Sequence, residues 1–173
     1  MRKSKKITRL AFLGVMIAFS VFCGGGSKKE SLLFLEKAKG LGGIIVKQAS
    51  ADVSLCNMYN TVWEYAKVTD LDFRSAYREM RMNTTEIKAQ VATNKLMMDE
   101  MMDMVKNPPE NMKEIHDKIV ELRKLYLEFN AFVLELPQVS QESFNAEVET
   151  YLADIDSLKS ELDHLIAEAE ANL

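Results

Sequence analysis

The chain has 173 residues, 47% of them apolar, and 22 Lys and Arg against 26 Asp and Glu leave a net charge of −4. With two Cys and an ordinary apolar fraction, it is neither a disulfide-stapled miniprotein nor a disordered tail. Its acidic balance excludes a basic nucleic-acid binder, which needs a cationic surface to neutralise phosphates.

The N-terminus is unlike the rest. Arg2, Lys3, Lys5, Lys6 and Arg9 all precede an uncharged run from Leu10 to Cys23, and Gly24, Gly25, Gly26 and Ser27 follow at once. A cationic start, a short apolar run and small residues after it are the anatomy of a secretory signal peptide, here spanning residues 1–22. As a helix the run would cover about 21 Å, short of a hydrocarbon core of about 30 Å, so a permanent span is disfavoured. The run's end resembles that of bacterial lipoprotein precursors, in which a Cys becomes the lipidated first residue and a flexible spacer leads away. The matching residue is Cys23, while Ser20 and Phe22 stand where that family usually has an aliphatic and a small residue. The resemblance implies lipid modification of Cys23, a tether over 23–30, and a domain over 31–173 held on the periplasmic or extracellular side of a cell-envelope membrane. Two other outcomes compete with it: ordinary cleavage releasing a soluble secreted protein, and an uncleaved anchor. With Cys23 lipidated, Cys56 is the remaining thiol and reads as a small buried apolar residue. Without lipid, a Cys23–Cys56 bridge becomes conceivable.

Beyond Ser27, apolar residues recur every three or four positions and period-2 alternation is missing, which predicts an all-α domain. Breaks at Thr69–Asp72, Asn107–Glu110 and Pro137–Ser140 divide it into four helices, roughly 31–68, 71–106, 109–136 and 141–172. Short connections between them predict an antiparallel up-down four-helix bundle. The first helix either splits near Gly40, Gly42 and Gly43, since each glycine weakens a helix interior by about 1 kcal/mol relative to Ala, or runs on with the glycines permitting close backbone approach. In the second, Met97, Met98, Met101, Met102 and Met104 crowd together, with Met97, Met101 and Met104 on one face and Met98 with Met102 on another. Thioethers favour Cu(I), so Met97, Met101 and Met104 are the candidate copper ligands of an exported carrier. The competing role for these methionines is filling irregular core space.

At the head of the third helix, Asn107 is placed as N-cap, Pro108 at the first helical position and Glu110 three residues after the cap. Its seam pairs Met112, Ile119, Tyr126 and Val133 with Ile115, Leu122, Phe129 and Leu136. Leu125, Leu127, Phe132 and Leu134 are apolar beyond that seam, which predicts a central position, or else a partner surface with Leu125 and Phe132 as its candidates. Ser140 is expected to cap the fourth helix, whose seam runs through Val148, Ile155, Leu162 and Ala169 beside Tyr151, Leu158 and Leu165. On that helix Lys159 alone faces nine acidic residues.

Catalytic and cofactor signatures are weak. Glu161 and His164 have the spacing of a di-iron pair, but the heptad frame turns His164 to solvent and there is no second such pair. Haem between Met58 and His116 or His164 meets the same objection. No Ser or Cys lies on a nucleophile elbow, and the glycines lack a phosphate-loop ending. The chain therefore reads as a non-enzymatic, cofactor-free binding or structural module, anchored in a membrane by an N-terminal lipid. A protein partner in the envelope is expected, self-association is left open, and a copper or haem carrier is the alternative. Removing residues 1–22, which carry five positive charges and no negative ones, takes the net charge from −4 to −9.

Overall fold

A computed structural model describes residues 26–80 and 85–173. Residues 1–22, read as a signal peptide, and Cys23 lie outside the described residues. Five α-helices and one 3-10 turn make up the described chain, with no strand: α1 Gly26–Thr69, α2 Phe73–Glu79, α3 Thr85–Asp103, the 3-10 turn Glu110–Met112, α4 Lys113–Leu134 and α5 Gln141–Ala171.

Helix α1 is the spine, 44 residues without interruption and about 66 Å long. Of the two outcomes at Gly40–Gly43, a break or a close backbone approach, the second is found. Packing explains why: Gly42 is buried, and a Cβ there would sit 2.8 Å from Leu162 Cδ2 and 3.1 Å from Lys159 Cδ. The glycine lets α5 approach the backbone of α1, and that contact offsets its poor helix propensity. The helix also begins earlier than expected, so residues 26–30, read as part of a tether, form its first turn.

The end of α1 is locally encoded. Asp70 adopts a left-handed φ of 58°, and Leu71 N–H donates to the Ala66 carbonyl at 3.1 Å, closing a Schellman-type cap. Asp72 then caps α2, its Oδ1 accepting from Ser75 N–H at 3.0 Å. The single helix expected over 71–106 is two helices, and α3 stops at Asp103. The capping role expected for Asn107 is also not found, because α4 starts only after the 3-10 turn. Pro109 is extended at ψ 151° and, as a proline, disfavours helical geometry at Pro108, so no helix can begin before Glu110. Ser140 does cap α5, its Oγ accepting from Ser143 N–H at 3.2 Å.

The three long helices α1, α4 and α5 each pack against the other two, α3 lies on α1 and α4, and α2 lies on α1. Asp52 meets Tyr126 while Tyr59 meets Val133, so α1 and α4 run the same way. Gln141 meets Asn60 and Glu64 at one end while Leu162 packs at Gly42 at the other, so α5 runs against α1. Ile45, Leu55, Tyr59, Ile119, Leu122, Phe129, Val133 and Leu162 are fully buried along this shared axis. Toward the end where α1 finishes the core becomes aromatic. Trp63 packs on Phe73 at 4.5 Å and on Phe144 at 5.3 Å, and Phe132 stacks on Phe144 at 5.1 Å.

Candidate functional site

The most unusual group in the bundle is a buried carboxyl. On α1 the residues Ile45, Ala49, Asp52, Cys56, Tyr59 and Trp63 recur at alternating spacings of four and three, which lays all six along the stripe facing α4 and α5. Asp52 is therefore carried into the core by its register, and it is fully buried. Two donors from α4 reach it: Tyr126 Oη donates to Asp52 Oδ2 at 3.1 Å, and Asn130 Nδ2 donates to the same oxygen at 2.9 Å. Asn130 Nδ2 also lies 3.2 Å from Tyr126 Oη, closing a three-membered polar layer. Asp52 Oδ1 has no partner.

The electrostatics follow from this seclusion. Loss of hydration raises the Asp52 carboxyl above its ordinary 3.8, against the lowering effect of the Asn130 and Tyr126 hydrogen bonds. One turn on, Cys56 donates its thiol toward the Asp52 backbone carbonyl at 3.9 Å. Burial first, and the nearby Asp52 second, push that thiol up to about 12. Burial also raises the Tyr126 phenol, with Asp52 adding to the shift. Chemically the layer is a hydrogen-bond cluster closed to solvent, with its carboxyl raised by burial. The groove beside it, lined by Val46, Ala49, Ser50, Val53, Leu152 and Ile155, does not include the carboxyl. Its role in this conformation is to align α1 with α4.

The residues singled out from the sequence fall elsewhere. Met98 is buried, Met101 and Met102 are half-buried against the core, and Met97 and Met104 are exposed. The methionines thus split between core filling and surface, and Met97, Met101 and Met104 do not close around a common buried point. Among the described residues no group of three or more His, Cys, Asp or Glu is placed to hold a metal ion. Phe132 is half-buried and engaged with Phe144 and Tyr151, the latter at 5.6 Å. Leu125 lines a shallow groove of about 380 Å³ between α4 and α5, with Leu158 opposite and Glu121, Lys124, Glu128 and Glu161 around it. Helix α4 is packed by α1, α3 and α5, which accounts for its broad apolar surface.

Glu161 accepts from Lys118 at 2.9 Å, while His164 is exposed and faces Glu168 at 3.3 Å. The glutamate hydrogen bonds, from Glu121 first and Glu161 second, raise the Lys118 ammonium above its ordinary range. Glu161 and His164 thus have separate partners. His116 is half-buried, its Nδ1 3.4 Å from Asp117. Asp52 and Asn130 were not among the residues expected to matter, although the stripe through Ile45, Ala49 and Cys56 already places a carboxylate in the apolar face. The chain matches no family model, no curated protein and no solved structure.

Proposed function

We propose that this protein is an exported lipoprotein, held in a cell-envelope membrane through acylated Cys23, whose helical bundle is a non-catalytic binding or structural module. The single observation that carries the reading is the N-terminal sequence, in which five cationic residues and an uncharged run end at Cys23 and glycines follow. Two structural facts are compatible with it. Among the described residues no helix is long and apolar enough to cross a membrane. Helix α1 begins three positions after Cys23, so the bundle would stand close to its anchor. In this reading the domain is an up-down four-helix bundle built from α1, α3, α4 and α5, with α2 a short appendage on α1. Metabolic labelling with an alkyne fatty acid tests the anchor: the wild-type protein should take up label and Cys23→Ser should not. Equal labelling of both, or of neither, contradicts the proposal.

A further inference from the structure

The end of the bundle where α1 begins carries an apolar surface that none of the described residues covers. Leu32 and Leu33, in the second turn of α1, are 45% and 50% exposed, and Met104, just past α3, is 45% exposed. Leu33 and Met104 line one groove of about 340 Å³, walled by Phe34, Pro108 and Pro109, with Glu30, Lys37 and Asn107 at its polar edge. Lys28 and Lys29 are exposed one turn before Leu32 and Leu33. Residues 28–37 hold Lys28, Lys29 and Lys37 against Glu30 and Glu36, and the acidic helix α5 does not line the groove.

Scattered exposed leucines are ordinary on a protein surface. These differ in where the chain comes from. Only Gly24 and Gly25 separate Cys23 from α1, and three Cα steps cover at most about 11 Å. Seven residues of helix from Gly26 to Leu33 add about 10 Å. An acylated Cys23 therefore keeps Leu32 and Leu33 within about 21 Å of the bilayer surface. Exposed leucines one turn from lysines form the pairing that inserts at a headgroup boundary, with the lysine heads reaching back to the polar layer.

We infer that Leu32, Leu33 and Met104 form a lipid-docking surface that lays this end of the bundle against the membrane holding its anchor. The inference rests on the lipid-anchor reading of Cys23. The occupant is the bilayer itself, and the docked patch is the second signal that a lipid-anchored protein uses to fix its attitude.

The test uses the mature lipoprotein reconstituted into vesicles of phosphatidylcholine and phosphatidylglycerol. Leu33→Cys and Val139→Cys are each labelled with an environment-sensitive fluorophore; Cys56 is buried and Cys23 acylated, so the introduced thiol takes the label. Val139 is 50% exposed, like Leu33, but lies at the opposite end of the bundle. Spin-labelled phosphatidylcholine should quench most of the emission at position 33 and shift it to the blue, leaving position 139 unchanged. Adding Leu32→Lys to the Leu33→Cys protein should remove that quenching. If both labels emit alike, on protein that carries lipid mass and floats with the vesicles, docking is wrong and the anchor stands. Protein without lipid mass overturns the anchor and the docking together.

Discussion

Replacing Asp52 by Asn removes the carboxyl from the polar layer while keeping its shape. The wild-type carboxyl is fully buried, and burial raises it above its ordinary 3.8. A raised folded-state value means that the carboxyl's contribution to stability is fully present below pH 3.8 and is lost as pH climbs through the folded value. Between those two values the unfolded chain binds less proton than the folded one, so wild-type stability falls by about 1.4 kcal/mol per pH unit on this group's account. The Asn variant has no such slope. At pH 3 the two proteins should differ by no more than about 1–2 kcal/mol, because the amide nitrogen replaces an oxygen that already lacks a partner. Each pH unit of the window then favours the variant about tenfold in its folding equilibrium. Urea unfolding followed by Trp63, the sole Trp and largely buried, reads this directly at a series of pH values from 3 to 8. Other titrating groups are common to both proteins and cancel. A stability difference that is constant across pH would refute a raised Asp52 carboxyl in the folded protein.

Other substitutions separate close backbone approach from local propensity. Gly42→Ala should lose about 1–2 kcal/mol, since the new methyl collides with the buried Leu162. Gly40→Ala and Gly43→Ala meet nothing within 4 Å and should each gain about 1 kcal/mol. Thermal melts followed by circular dichroism decide the matter, and equal signs at all three positions would refute it. Cys56, buried and pushed up to about 12, should resist Ellman's reagent in the folded protein and react fully in urea. Stoichiometric reaction without denaturant would contradict its placement in the core.

What the sequence made legible follows the strength of its periodicity. The stripe from Met112 in the 3-10 turn through Ile119, Tyr126 and Val133 of α4 is buried throughout, and α5 buries Val148, Ile155 and Leu162. The second row of α5, Tyr151, Leu158 and Leu165, is only half-buried, and Ile166 rather than Ala169 completes the core. A straight helix drifts about 20° per heptad, which moves the apolar face in that direction. The sequence left α1 open between a break and a close approach, because a glycine's cost is a local quantity while its benefit at Gly42 depends on α5, some 120 positions away in the chain. The cap at Asn107 failed for a local reason instead, the restriction that Pro109 places on its neighbour. Asp52 sits at a spacing that predicts burial, but only the arrival of Tyr126 and Asn130 from α4 makes that burial tolerable.

The account turns on Cys23. Mass spectrometry of the mature protein's N-terminus, from its native membrane, measures this most directly. The predicted result is a chain that starts at Cys23 and carries acyl mass on that residue. A free amine at Gly24 or beyond, or a chain that still carries residues 1–22, would contradict it.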